Sequence, residues 1–108
     1  MGRWAQQRRR GGGGGAAVPP PEIVISDVVA TDGNPGEVSV FFTQDIDAGI
    51  FTPGDWTFDG TQAGVIVQGV DPNVAVMDGA FSVTGGEAWS TTDPTITGPP
   101  TSGTITPF

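Results

Sequence analysis

The feature that most constrains the fold of this chain is the rhythm of short apolar runs after residue 21. In EVSVFFT, residues 37–43, the side chains of Val38, Val40 and Phe42 would share one face of an extended strand. Gly, Pro, Asn and Asp interrupt such runs after about eight to twelve residues, which is typical of an all-β chain. Seven strands are predicted, over residues 22–30, 37–43, 55–59, 64–70, 74–77, 80–84 and 103–108.

The length of this β-rich segment limits the architecture. About ninety residues support one hydrophobic core, and about seven short strands enclose it most simply as two packed sheets. The predicted fold class is therefore all-β, an antiparallel two-sheet sandwich of about seven strands with an extended N-terminal arm. Residues 1–21 are predicted to be the arm and linker, and residues 22–108 the sandwich. Asp78 and Gly79 are expected to form a hairpin turn, and Pro107 places the last strand at an edge.

The charges of the chain are divided between two segments. All four positive side chains lie within residues 3–10, and all twelve acidic side chains follow residue 11. Between the two segments, GGGGG favours a flexible hinge and the prolines of AAVPPP favour an extended spacer. A coil of about eight residues has a typical reach of ~15 Å, so the arm is expected to reach the surface of a neighbouring molecule.

The arm carries the predicted partner-binding residues Arg3, Trp4, Arg8, Arg9 and Arg10. Guanidinium groups bind carboxylates and phosphates through paired hydrogen bonds, and Trp is a frequent anchor of protein interfaces. The expected partners are structural proteins of an assembly in multiple copies, either through an acidic groove or through a sister copy. The alternative is a solvated tail that aids solubility, or a remnant of the translation start.

Several function classes are disfavoured by composition. The acidic segment lacks Lys and Arg, so only the arm could contact nucleic acid, and four arginines neutralise at most about four phosphates. The chain has no Cys, His, Lys or Tyr, which leaves few groups for acid, base or nucleophilic chemistry. No apolar run has the length of a membrane span or of a signal-peptide core. We therefore expect no catalysis, no cofactor and no membrane partner.

Asp45 and Asp47 are the candidate metal ligands. Together with Asp55 or Asp59 they could supply oxygens to Ca²⁺, although no EF-hand spacing is present. On alternate strand positions the first two carboxylates would also lie roughly 6–7 Å apart, close to the spacing in inverting glycosidases. The favoured interpretation is that they are solvated turn residues, so no metal site is expected.

The large aromatic residues have two interpretations. Trp56, Trp89, Phe41 and Phe81 could form a platform for a sugar or a protein partner, but such residues more often belong to the core. Phe41 lies on the strand face opposite Val38 and is the informative case. If its ring is exposed, it marks a second core face or a contact patch.

Residues 36–58, GEVSVFFTQDIDAGIFTPGDWTF, resemble a bacterial Ig-like domain of the S-layer and adhesin type. The shared pattern is a strand ending in Phe42-Thr43, an acidic pair around Ile46, and a second strand with aromatics at Trp56 and Phe58. The resemblance covers about a quarter of the chain and implies a seven-stranded sandwich that serves as a spacer, decoration or adhesion module without catalysis.

A single copy with a basic arm is more similar to an accessory virion protein of a tailed phage, on the capsid or the tail. The expected location is the virion, with the cell surface or the cytoplasm as alternatives. Two other functions remain open. The chain could bind a glycan or cell-surface ligand through residues 48–54 or 85–102, or the arm alone could contact nucleic acid.

Overall fold

The computed structural model describes residues 23–108, and the predicted arm lies outside this range. Its seven strands are β1 (Ile25–Thr31), β2 (Asn34–Phe42), β3 (Trp56–Phe58), β4 (Thr61–Gln68), β5 (Val74–Gly79), β6 (Ala88–Thr91) and β7 (Ser102–Thr104). Two short 3-10 turns, Ala48–Ile50 and Pro53–Asp55, connect β2 to β3. The predicted all-β class and the number of strands are confirmed.

The seven strands form one antiparallel sheet in the order β1-β2-β5-β4-β3-β6-β7. After β7 the chain continues to Thr106, whose backbone N–H donates to the Val28 carbonyl at 2.7 Å, while its carbonyl accepts from Ala30 N–H at 2.9 Å. This parallel bridge joins the last segment to the first strand, so the sheet forms a nearly closed barrel. The predicted division into two separate Ig-type sheets is not confirmed, because β4 pairs with both β3 and β5.

The core lies inside this barrel and follows the alternation of the strands. Val38, Val40 and Phe42 of β2 point inward and are buried, as the sequence predicts for residues 37–43. Phe42 stacks on Phe51 with ring centroids 5.3 Å apart, and Phe51 meets Trp56 edge to face at 5.5 Å. These contacts let the inward row of β2 pack against the connection that leads to β3.

Of the four aromatic residues with two interpretations, core or binding platform, three belong to the core. Trp56, Phe81 and Trp89 are buried, and the favoured interpretation is confirmed for them. Phe41 differs, because it lies on the outer face of β2 and is only half-buried. It therefore belongs to the surface described below.

The prediction of a strand at residues 80–84 is wrong, as is the hairpin at Asp78 and Gly79. Both residues instead end β5 in ladder positions opposite Val65 and Ala63 of β4. Phe81 and Val83 produce the apolar alternation of a strand because both are buried, but residues 80–84 form no ladder. The segment is held by one backbone hydrogen bond, from Val83 N–H to the Pro35 carbonyl at 2.8 Å, and by packing of Phe81 against Phe58 at 5.0 Å.

Candidate functional site

The predicted partner-binding residues Arg3, Trp4, Arg8, Arg9 and Arg10 all lie outside residues 23–108. The structure therefore leaves the arm as a prediction. Residues 23–108 hold all but one of the acidic side chains and no Lys, Arg or His. Any cation that balances the charge of the barrel must come from the arm, from solvent or from another molecule.

The structure does not assemble the candidate metal ligands. Asp45 and Asp47 lie in a connection after β2, not on alternate positions of a strand, so the basis for a glycosidase spacing is also lost. Asp47 accepts the Gly49 N–H at 3.0 Å and caps the first 3-10 turn, which confirms its interpretation as a turn residue. Within residues 23–108, no three acidic side chains are grouped closely enough to hold a metal ion.

A carboxylate that sequence analysis did not select is the most deeply placed one in the described barrel. Asp93 is 5% exposed, and its Oδ2 accepts from Thr52 N–H at 3.0 Å and from the Trp56 indole N–H at 3.1 Å. Its Oδ1 accepts from both the backbone N–H and the hydroxyl of Thr95, at 3.0 and 2.7 Å. The Asp-Pro-Thr sequence of a side-chain-capped turn was the available signal.

These hydrogen bonds decide the charge state of Asp93. Burial raises the pKa of the carboxyl, but the bonds from Thr95, Thr52 and Trp56 together outweigh burial and hold the pKa below its ordinary value. The group is therefore an anion whose two oxygens are already occupied by donors. This arrangement fastens residues 93–95 to residues 52–56 and leaves Asp93 poorly suited to bind a ligand or to transfer a proton.

Glu87 is a second carboxylate that stabilises the fold through hydrogen bonds to the backbone. It accepts the backbone N–H groups of Gly85 at 2.8 Å and of Thr84 at 3.2 Å. The bonds from Gly85 and Thr84 lower the pKa of the Glu87 carboxyl. It shapes the turn that leads into β6.

The outer face of the half-barrel β1-β2-β5-β4 carries a group of apolar side chains. Cross-strand pairing places Val29, Ser39, Val76 and Val67 in one row, because each residue pairs with the next across neighbouring strands. Rows on either side add Phe41 and Val65. We call the outward side chains of Val29, Phe41, Val65, Val67 and Val76 the valine face.

Two valines of this face are strongly exposed. Val65 is 53% exposed and Val67 is 47% exposed, whereas Val29, Phe41 and Val76 are half-buried by their neighbours. An antiparallel sheet that packs one face on the core normally presents polar residues on the other face. The valine face departs from that rule most clearly in its central row, where Val29, Val76 and Val67 are outward and Ser39 is the polar member.

The opposite half-barrel follows the rule. Gln62, Thr57, Ser90 and Ser102 form a row across β4, β3, β6 and β7. The hydroxyls of Thr57 and Ser90 are 2.6 Å apart and hydrogen-bonded. We call this row the polar face. The contrast shows that the apolar outer surface is specific to one side of the same barrel.

The valine face ends in a pair of like charges. Glu37 of β2 and Asp78 of β5 are directly opposite each other, and Val65 of β4 is the next residue in that row. Glu37 accepts a hydrogen bond from the Asn34 amide at 2.8 Å, but the described residues contain no cation to place between the carboxylates. Like charges directly opposite on neighbouring strands are destabilising.

A pocket of about 190 Å³ lies where β1 and β7 are unpaired. Residues 25–28 line one side, β7 and Pro100 line the other, and Trp89 contributes to the wall. The gap ends on one side at the hydrogen bonds between Ile23 and Thr97, and on the other at the Thr106 bridge. The lining combines hydroxyls, the Asp27 carboxylate and an aromatic ring.

Comparison with protein-family models, curated proteins and solved structures finds no match to this chain. Over residues 23–108, no helix is long and apolar enough to cross a membrane. The surface chemistry of the barrel is therefore what bears on function.

Proposed function

We propose that this protein is a non-enzymatic structural component of a larger assembly, with an Ig-like body anchored through the N-terminal arm. The observation that carries the proposal is the valine face. A contiguous apolar surface beside unpaired charges usually marks a protein contact on a soluble domain. Covering the exposed halves of Val65 and Val67 would contribute about 1 kcal/mol each.

The chemistry of the chain supports a structural role over catalysis. It lacks His, Cys, Lys and Tyr, and the perturbed carboxylates Asp93 and Glu87 already accept hydrogen bonds from their own barrel. No metal or organic cofactor enters the proposal. Together with the resemblance of residues 36–58 to Ig-like modules, this leads us to propose an accessory protein of a phage particle, on its capsid or tail.

Deletion of the arm tests the proposal that it anchors the protein. We expect that deleting residues 1–10 leaves the barrel folded and abolishes its incorporation into particles, because the cations and Trp4 are lost together. Tagged full-length and truncated chains would be supplied to source cells, and the particles would be separated on a density gradient and analysed by mass spectrometry. Equal incorporation of both chains would refute anchoring by the arm.

A second candidate function is glycan binding, and the pocket between β1 and β7 favours it. Ser102 offers a hydroxyl and Asp27 a carboxylate to a sugar, and the edge of the buried Trp89 ring forms part of the wall. Asp27 Oδ1 already accepts from Val28 N–H and from the Thr106 hydroxyl, which leaves Oδ2 for a ligand. In this case a glycan array should show a hit, and Asp27→Asn should weaken that hit roughly tenfold by loss of a charged acceptor. The exposed Asp45→Asn is the matched control. An array without hits, or equal loss in both variants, would eliminate this candidate.

A further inference from the structure

We propose that the valine face is the receptor for residues 1–10 of a neighbouring copy of this chain. The inference rests on the proposed function, because it names the surface that receives the anchoring arm. It makes the protein a self-associating module in which each barrel both offers an arm and accepts one.

The apolar part of the arm fits the apolar part of the face. Val65 and Val67 are the most exposed residues of the face, and Val76 lies beside them on β5. Trp4 is the only large aromatic residue in residues 1–10. A Trp side chain laid across these valines would remove a large apolar area from water on both partners.

The charge pattern selects the arm over a second barrel. Glu37 and Asp78 place two carboxylates beside the apolar surface, where a cation would be favoured, and every cation of the chain lies in residues 3–10, close to Trp4 in sequence. Two barrels that met through their valine faces would bring two such acidic pairs together. The described barrel contains no Lys or Arg to separate them. Only the arm combines an aromatic side chain with guanidinium groups.

The sequence of the linker favours binding of the arm to a neighbouring copy of the chain. The described chain begins at Ile23, which is held to Thr97 by hydrogen bonds through both its N–H and its carbonyl. Val65 and Val67 lie on β4, three strands away from β1, or roughly 14 Å across the sheet, which is within the ~15 Å reach of the linker, so the preference for a neighbour rests on the prolines. Residues 19–21 are three consecutive prolines, whose preference for an extended conformation disfavours an immediate chain reversal onto the same barrel.

The absence of cysteine from the sequence allows a direct test on the full-length protein. Ala5→Cys places a thiol in the arm, Val67→Cys places one on the valine face, and Ser90→Cys places one on the polar face. The first variant would be mixed with either of the others in a glutathione redox buffer. Dimers of two different chains would be measured by intact mass under non-reducing conditions.

We expect the Ala5→Cys and Val67→Cys pair to form its mixed dimer roughly tenfold faster than the pair with Ser90→Cys, because docking raises the local thiol concentration. Both barrels carry the same overall charge, so nonspecific attraction of the arm affects the two pairs equally. Changing Arg3, Arg8, Arg9 and Arg10 to Gln in the Ala5→Cys chain should reduce the faster rate to that of the control. Equal rates for the two pairs would overturn the inference.

A chain carrying both Ala5→Cys and Val67→Cys tests the source of the arm. The neighbouring copy is excluded if two results are found together. The doubly substituted chain forms its disulfide within one chain, and the mixture of Ala5→Cys with Val67→Cys forms its mixed dimer no faster than the control pair. Failure here is distinct from failure of the proposed function. An arm that is needed for incorporation into particles but does not react with Val67→Cys would anchor to a different protein.

Discussion

Replacing Asp93 with alanine should lower the free energy of unfolding by about 4 kcal/mol, because a buried charged acceptor is lost and the buried Trp56 indole N–H loses its partner. The Asp93 carboxylate accepts four hydrogen bonds, and its partners Thr52 and Trp56 lie 41 and 37 residues away along the chain. The indole N–H of Trp56 is buried and would lose its acceptor. The measurement is urea-induced unfolding followed by tryptophan fluorescence.

The control for this experiment is Asp45→Ala, which removes an exposed carboxylate from the connection after β2. We expect it to change the free energy of unfolding by less than about 0.5 kcal/mol. A loss for Asp93→Ala as small as that of the control would contradict the structural role of the Asp93 hydrogen bonds.

The charge of Asp93 also predicts a pH dependence. Because the folded state lowers the pKa of this carboxyl, its contribution is complete above the ordinary value near pH 4. The contribution is then lost as the pH falls through the folded-state value. Asp93→Asn should be less stable than the native chain at pH 7, and the difference should shrink below about pH 4. A constant difference between pH 7 and pH 3 would contradict this assignment.

Replacing Gly85 with alanine should destabilise the barrel by about 3 kcal/mol, through backbone strain and steric overlap together. Gly85 has a φ of +124°, and a Cβ built there would lie 2.6 Å from the Cα of Pro107. That backbone atom belongs to the segment that closes the barrel, where Gly86 N–H donates to the Ile105 carbonyl at 2.7 Å. The substitution should therefore push the closing segment away from the turn before β6.

Two other glycines allow the effect of backbone strain to be measured apart from that of steric overlap. Gly86 has a φ of +94° with open space around it, so Gly86→Ala should cost only the backbone strain of about 1–2 kcal/mol. Gly54 has open space and no positive φ, so Gly54→Ala should have almost no effect. Thermal unfolding of the three variants gives the comparison. If Gly85→Ala costs no more than Gly86→Ala, the contact with Pro107 does not constrain the closing segment.

The strand pattern of residues 37–43 was readable from the sequence because polar and apolar side chains alternate there. The same pattern misleads at residues 80–84, where Phe81 and Val83 are buried although the segment forms no ladder. It also missed β6, since the short Ala88–Thr91 segment carries one large apolar side chain and becomes a strand only between β3 and β7. Strand formation in these places depends on the neighbour that is present, and local propensity does not identify that neighbour.

The sequence by itself determined the all-β class, the single core and the separation of the cations from the acidic body, because alternation, turn residues and charge are local properties. Only the tertiary structure decided which valines face outward. Val65, Ile66 and Val67 are equally apolar in sequence, and pairing with Asp78, Met77 and Val76 assigns their faces. It also selected Asp93 from the eleven carboxylates of residues 23–108 and joined Thr106 to Val29, since burial and barrel closure depend on contacts between segments far apart in the chain.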